Sequence, residues 1–359
     1  MKIIHCADIH LGSKIESKFT PEITEKRKKE ILATFSRMVE YAKENDIKVI
    51  ILSGDVFDKD KPAIKDKEIF YKTISKNPDI DFIYLRGNHD LFGGYEQNDI
   101  PNLKVFNADE VTTYSYDDVD ISGIEMTPET FRTIYGKINL DKTKLNILML
   151  HGDDSDTVGL NKIRIENLKN KGIDYLALGH YHTYKIGKID DRGIYAFSGC
   201  LEGRGFDECG EKGFIVLDIN DGKINHTFVP FAFRTLHEID VDVTGMQDLV
   251  EVSEAVKAAI ANLPSKDIAR INLAGELPVE ADITSEDVRL RVNDKLFFVV
   301  VKNKTNTLIR LEDYAEDNSL IGEFVRGVYN NPDYNEEMRQ KILNIGIKLF
   351  NGRGIEKWD

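Results

Sequence analysis

The feature that most restricts the fold is a repeated pairing of an apolar segment with polar residues at its end. The apolar segments have the length of buried strands. The polar residues that follow them are Asp8-Ile9-His10, Gly54-Asp55, Gly87-Asn88-His89-Asp90, His151-Gly152 and Gly179-His180-Tyr181-His182. Residues 22–44 and 65–75, between the first three segments, have the apolar spacing of amphipathic helices. Continuous apolar strands that alternate with helices predict an α/β fold, with a sheet covered on both faces.

The polar residues at the strand ends indicate one shared site. Open α/β sheets bind ligands at the carboxyl ends of their strands, so we expect the five ends to converge. Five of the eight histidines lie in these segments. Nitrogen and oxygen donors without cysteine suit manganese, iron, cobalt, nickel or zinc, and their number exceeds the needs of one ion. The sequence therefore predicts a pair of divalent ions.

Composition limits the partners and the compartment. None of the apolar runs approaches the ~18 residues that a membrane span needs, and the chain starts without an export signal, so we expect a cytoplasmic protein without a membrane partner. Three cysteines without a CxxC pattern predict reduced thiols. The net charge of -14 argues against nucleic acid, although bound cations would dominate the charge of the site itself. The basic run 25–30 is interpreted as a solvated helix face.

The motifs resemble the complete set of the calcineurin-like metallophosphoesterases, in the order of that family. The resemblance implies a metallophosphoesterase β-sandwich flanked by helices. It also implies two divalent metal ions, with manganese as the expected metal and iron, zinc, nickel or cobalt as alternatives. One ion would be held by Asp8, His10, Asp55 and His182. The second would be held by Asp55, Asn88, His151 and His180, with Asp55 bridging. His89 matches the histidine that contacts the phosphate and protonates the leaving oxygen, and Asp90 would orient it. Paired ions bind phosphoryl oxygens and lower the pKa of a water molecule.

Three longer segments look like the SbcD-type DNA repair exonucleases: residues 2–12, 174–182 and 195–213. That resemblance implies DNA as the substrate, an SbcC-like ATPase of the SMC family as the partner, and dimerisation as a family expectation. Asp58 departs from relatives that carry a second active-site histidine there, so we assign it no catalytic role and interpret it as an aspartate that supports a ligand or closes a turn. Arg204 is interpreted either as a contact to a nucleic-acid phosphate or as a structural turn residue.

The pattern changes near residue 232, which predicts three parts: a nuclease domain over 1–231, a small α+β capping domain over 232–309, and a C-terminal helical segment over 310–359. The capping domain resembles that of the SbcD-type enzymes, with oligomerisation or stabilisation as the alternative. In the last segment, Met338, Ile342, Ile345 and Leu349 form an apolar stripe. The stripe either packs on its own domain or binds the ATPase.

Three functions remain open on this reasoning. The first is a metal-dependent DNA exonuclease or endonuclease. The second is a small-molecule phosphodiesterase or phosphatase of the same superfamily, which the acidic charge favours. The third is a scaffold that keeps a metal site for folding, and His89 argues against it because a scaffold has no use for a proton donor.

Overall fold

The computed structural model describes residues 1–15, 19–58, 62–90, 100–278, 281, 283–309 and 311–350. The chain divides into two compact units, Met1–Thr235 and Leu236–Asp359. Within the described ranges, the helices are too short or too polar to cross a bilayer.

The first unit contains two six-stranded sheets. Sheet one has the order β14-β13-β1-β2-β3-β4, and sheet two has the order β11-β12-β10-β7-β6-β5. In each sheet four neighbouring strands are parallel and the remaining pairings are antiparallel. The strands are β1 Lys2–Cys6, β2 Val49–Ser53, β3 Asp81–Leu85, β4 Leu103–Val105, β5 Thr112–Tyr116, β6 Val119–Gly123, β7 Leu145–His151, β8 Asp153–Asp154, β9 Lys162–Ile163, β10 Tyr175–Gly179, β11 Lys185–Lys188, β12 Ile194–Phe197, β13 Gly213–Asn220 and β14 Lys223–Pro230.

The two sheets form a sandwich because their strands are apolar on both faces. Alternate residues such as Ile51 of β2 and Met149 of β7 belong to one core cluster that joins the two sheets. The other face of sheet one packs against helices α1 (Pro21–Glu44) and α2 (Ile64–Ser75). The outer face of sheet two is covered by a separate apolar cluster that includes Ile134 of the short helix α3 (Ile134–Lys137). The predicted α/β fold is confirmed, and the two packed sheets form the β-sandwich that the family resemblance implied.

Helix α1 corrects the interpretation of the basic run as a solvated face at two of its residues, whereas Glu25, Lys26 and Lys29 are exposed. Arg27 is fully buried, and Glu30 is buried beside it. The Arg27 guanidinium forms ion pairs with Glu30 at 2.6 Å and with Glu202 at 2.9 Å. The helix therefore turns charged residues inward, where each meets an opposite charge.

The second unit has a parallel three-stranded sheet, in the order β15-β16-β18, and a small two-stranded pair. Helices α4 and α5 share an apolar core with that sheet. Helices α6 and α7 form a separate cluster. The elements are β15 Leu236–Asp242, α4 Leu249–Ile260, β16 Ile268–Ala274, β17 Glu276–Pro278, α5 Ser285–Val292, β18 Phe298–Asn303, β19 Asn306–Leu308, α6 Leu320–Tyr329 and α7 Glu336–Phe350. The finer division into residues 232–309 and 310–359 stays a prediction.

Helix α7 uses a different face for packing than the predicted stripe. Leu343 and Ile347, four residues apart, are the buried positions. Met338, Ile345 and Leu349 of the stripe are 45%, 45% and 54% exposed, whereas Ile342 is partly buried against the α6–α7 cluster.

Candidate metal centre

The carboxyl ends of strands from both sheets meet at one place, as the strand-end pattern predicts. Backbone hydrogen bonds join neighbouring strand ends, with Asp8 N donating to Gly54 O and Gly152 N to Gly179 O. Across the sandwich, the His180 N–H donates to both carboxylate oxygens of Asp8, at 2.9 and 3.0 Å.

Several of the predicted ligands have a backbone conformation that L residues rarely adopt. Asp8, His10 and Asp55 each have φ of 51°, and His180 has φ of 99°. Such left-handed residues cost free energy and concentrate at functional sites, where the surrounding fold maintains them. The strand ends are therefore bent so that their side chains turn towards each other.

The first cluster of donors consists of Asp8, His10 and His182. Their ligand atoms lie within 4.8 Å of one another. His10 Nε2 and His182 Nε2 face each other at 3.2 Å. Asp8 and His10 are almost completely buried, and His182 is half-buried.

The second cluster consists of Asp55, His151 and His180, again within 4.8 Å. Asn88 belongs with it, because its Oδ1 lies 3.1 Å from both His151 Nε2 and His180 Nδ1. Asp55 lies between the clusters, with Oδ2 3.4 Å from His151 Nε2 and 3.9 Å from His10 Nε2.

This arrangement brings together all seven predicted ligands, and its chemistry fits two divalent ions. Imidazole nitrogens, carboxylates and one amide oxygen form a donor set without thiolate, which suits manganese, iron or zinc. Opposed imidazole nitrogens need a cation or a proton between them. The first position would be held by Asp8, His10, Asp55 and His182, and the second by Asp55, Asn88, His151 and His180.

Glycines allow the strand ends to approach closely. A Cβ on Gly87 would lie 2.2 Å from Asp55 Oδ1 and 2.5 Å from Asp55 N. A Cβ on Gly54 would lie 2.1 Å from His151 Nδ1, and Gly54 also has φ of +94°. Gly54 and Gly87, which directly precede Asp55 and Asn88, are therefore part of the site geometry.

Burial and close charges shift the titration of the cluster. Burial raises the pKa of Asp8 to about 7. For His151, burial alone would lower the pKa, but the neighbouring Asp55 carboxylate outweighs it and raises the pKa to about 9. The pKa of Asp55 is held below its ordinary value because His151 and His10 outweigh the effect of its burial. Without a cation, the cluster is thus an internally paired set of acids and bases.

His89 lies beside the first cluster, with its ring centroid 5.3 Å from that of His10. Its backbone N–H donates to Asp55 Oδ1 at 3.0 Å. Its Nδ1 lies 3.1 Å from the carbonyl oxygen of Asp58. A carbonyl oxygen can only accept a hydrogen bond, so this contact assigns a proton to Nδ1. Nε2 is then the nitrogen that can gain or lose a proton.

Asp90 was predicted to orient the His89 imidazole, but its carboxylate binds backbone N–H groups instead. Its carboxylate accepts from the backbone N–H groups of Val56, Phe57 and Gly87, at 3.0–3.2 Å. The Asp58 carbonyl orients the His89 ring instead. Asp90 fixes the turn that carries Asn88 and His89 to the end of β2.

Sequence reasoning missed Glu208 behind an imidazole ligand, whereas Asp58 lies beside His10, in agreement with its interpretation as a supporting or turn aspartate. Glu208 Oε1 lies 2.7 Å from His182 Nδ1, and Asp58 Oδ1 lies 3.3 Å from His10 Nδ1. Arg204 is ion-paired with both carboxylates, so neither earlier interpretation of this arginine, as a phosphate contact or a surface turn residue, describes it. The segment 195–213 carried a resemblance, but its residues gave no spacing signal for contact with the metal ligands.

Comparison with known proteins gives the family. Residues 1–184 match the calcineurin-like phosphoesterase family. The chain belongs to this family. All seven donors lie inside the matched range, and the family uses two divalent ions. The predicted family is confirmed, and the chain is a metal-dependent hydrolase of phosphoric esters.

Relatives extend the similarity beyond the matched range. The chain is 22% identical to the "DNA double-strand break repair protein Mre11" of Sulfolobus acidocaldarius, in an alignment of 385 positions that covers 96% of this chain and 94% of that protein. A protein of the same name from Sulfurisphaera tokodaii is 26% identical in an alignment of 395 positions, which covers 98% of this chain and 98% of that protein. The "Uncharacterized metallophosphoesterase YhaO" of Bacillus subtilis is 24% identical over 297 residues, covering 77% of this chain and 72% of that protein.

Proposed function

We propose that this chain is a dinuclear-metal phosphodiesterase that cleaves DNA as an exonuclease or endonuclease during repair. The observation that carries the proposal is the pair of donor clusters that meet at Asp55, with His89 beside them. Similarity over nearly the whole chain to relatives named as double-strand break repair proteins supports DNA as the substrate.

The chain's own residues position the ester and move protons. When bound, the two ions supply positive charge for the phosphoryl oxygens and acidify a water molecule. Asp8, Asp55 and the donors around them fix the two positions from strand ends that the sandwich makes rigid. His89, oriented through Nδ1 by the Asp58 carbonyl, presents Nε2 to the leaving oxygen and donates the proton. Asp90 supports this step indirectly, because it anchors the turn that carries His89.

The proton donor can be tested by His89→Asn. We expect unchanged metal content and a fall in kcat of about 10²–10⁴-fold, the usual contribution of a general acid. His226→Asn, at an exposed histidine of β14, is the matched control. Metal content would be measured by elemental analysis, and turnover on end-labelled linear DNA, because its alkoxide leaving group needs a proton whereas p-nitrophenolate leaves without one. A His89→Asn enzyme with full turnover and full metal content would refute the role.

A small phosphodiester is the second candidate substrate, which the net charge of -14 favours. The discriminating assay is manganese-dependent digestion of end-labelled linear DNA, beside turnover of cyclic nucleotides and bis(p-nitrophenyl) phosphate. Cleavage of the small diesters without cleavage of DNA would select the second candidate. Manganese as the preferred ion and a cytoplasmic location belong to the same proposal.

The proposal includes an SbcC-like ATPase of the SMC family as the partner, bound through α7. Its support is the exposed part of the predicted stripe, Met338, Ile345 and Leu349. Since Leu343 and Ile347 are buried, replacing the three exposed residues by serine is a sharper test than deleting residues 318–359. Loss of ATPase binding with an unchanged unfolding temperature is the expected result. Unchanged binding would contradict this docking site.

A further inference from the structure

The two metal positions differ in the groups behind their imidazole ligands. In the first position, Glu208 Oε1 lies at hydrogen-bond distance, 2.7 Å, from His182 Nδ1, and Asp58 Oδ1 lies at ion-pair distance, 3.3 Å, from His10 Nδ1 without a hydrogen bond between them. In the second position, the His151 Nδ1 lies 2.9 Å from the Ser53 carbonyl, a neutral group. The imidazole ligands of the first position therefore have charged supports.

One guanidinium connects the two carboxylates of the first position. Arg204 Nη1 lies 3.1 Å from Asp58 Oδ1, and Arg204 Nε lies 3.1 and 3.2 Å from the two Glu208 oxygens. The Arg204 backbone N–H also donates to Glu208 Oε2 at 2.7 Å. The Arg204 and Glu208 side chains are only 16% and 4% exposed. Arg204 is therefore committed to the protein interior.

The segment that carries this arginine is itself held in place. Arg27 donates to the Gly203 carbonyl at 2.8 Å. The Lys212 ammonium, in a residue that is 2% exposed, donates to the His182 carbonyl at 2.9 Å. The position of His182 is thus fixed by Glu208, which contacts its imidazole, and by Lys212, which donates to its backbone carbonyl.

A carboxylate behind a ligating imidazole fixes the ring orientation and raises its basicity. A planar guanidinium can hold two carboxylates in fixed directions, which an ammonium cannot do. We infer that Arg204 is a positioning residue, and that the Asp8/His10/His182 position binds its divalent ion more tightly than the Asn88/His151/His180 position. The inference rests on the two-ion site of the proposed function and is independent of whether the substrate is DNA.

The test is a titration of the metal-free full-length chain with Mn(II), followed by calorimetry and by electron paramagnetic resonance. In the wild type we expect two separable binding events, with the signal of isolated Mn(II) first and of a spin-coupled pair second. Glu208→Gln preserves the size of the side chain and removes its charge. Arg204→Lys preserves the charge and removes the planar guanidinium that can hold two carboxylates. Each variant is expected to weaken binding at the Asp8/His10/His182 position, by about 10–100-fold for Glu208→Gln, and to leave binding at the other position unchanged.

The matched control is Arg192→Lys. Arg192 makes a comparable two-nitrogen ion pair with Asp174, at the amino ends of β10 and β12. It should leave both binding events unchanged. Two wild-type events of equal affinity, equal weakening of both by Glu208→Gln, or unchanged binding in Glu208→Gln or in Arg204→Lys would overturn the inference while leaving the proposed function intact. Binding of fewer than two ions by the wild type would overturn the proposed function as well.

Discussion

Arg27 offers the prediction with the largest effect on stability. Its fully buried guanidinium faces the Glu202 carboxylate, whose side chain is 1% exposed. Glu202 also accepts hydrogen bonds from two neutral donors, the Thr34 hydroxyl and the Phe233 N–H. Arg27→Met would remove the opposing charge and leave the carboxylate in the interior. Removing one partner of a buried ion pair costs about 3–5 kcal/mol.

That free energy converts into a measurable shift. For domains of this size, 1 kcal/mol corresponds to about 2–4 °C, so the unfolding temperature of the first unit should fall by roughly 6–20 °C. Differential scanning calorimetry of the full chain measures it. Arg27→Met/Glu202→Gln should recover part of the loss, because the cost comes from the unpaired charge.

Lys29→Met, at an exposed lysine on the same helix, is the control and should change stability by less than about 0.5 kcal/mol. The reasoning fails if Arg27→Met shifts the unfolding temperature no more than Lys29→Met. It also fails if the double variant is at least as unstable as Arg27→Met alone.

Three further predictions follow from the same site and core. Gly87→Ala should lose metal, because its Cβ would meet Asp55 Oδ1 at 2.2 Å, whereas a Cβ on Gly136 meets nothing within 4 Å, so Gly136→Ala should keep full metal content by elemental analysis. Burial lowers the pKa of His5 to about 3. The folded state then resists protonation below the unfolded pKa of about 6.5, and the free energy of unfolding should fall by about 1.4 kcal/mol per pH unit from there towards pH 3. Urea unfolding at pH 7, 5.5 and 4.5 should show a shallower fall in His5→Asn, and an equal slope would contradict the assignment. Because the pKa of His151 is raised to about 9 by Asp55 against the effect of burial, Mn(II) binding should release protons and tighten as pH rises. Calorimetry in buffers of different ionisation enthalpy measures that release, and its absence at pH 7 would count against the shift.

The sequence was sufficient for the strands that end at the candidate site, because the signal for them is local, but it gave no prediction for β4, β5, β6, β11 or β14. An apolar run of strand length followed by Asp or His is legible in a few residues, and parallel strands deliver their carboxyl ends to one edge. Strand β2 and its Asp55 follow this rule, as do β7 and its His151. The pairing of two sheets was legible only through the family resemblance, since a continuous apolar run does not say whether a helix or a sheet covers it.

Charged residues were harder to place because their environment is set by distant partners. Arg27 lies in a run of charges that indicates a solvated face, yet its partner Glu202 is 175 positions away. Glu208 behind His182 and Arg204 across from Asp58 are of the same kind. Helical periodicity and local charge spacing carry no information on such contacts.

The left-handed backbone at Asp8 and Asp55 indicates how the fold prepares the site before any ion binds. Each of these carboxylates accepts a backbone N–H from another strand end, His180 for Asp8 and His89 for Asp55. Asp90 accepts three more from the turns around it. These donors fix the acids in place at the cost of a strained backbone. On the proposed function, two ions would meet donors whose geometry the chain has already set, so that binding would need little reorganisation. The same donors show how an acidic chain can accommodate the anionic substrate of the proposed function: the carboxylates of Asp8, Asp55 and Asp90 each accept hydrogen bonds from backbone amides.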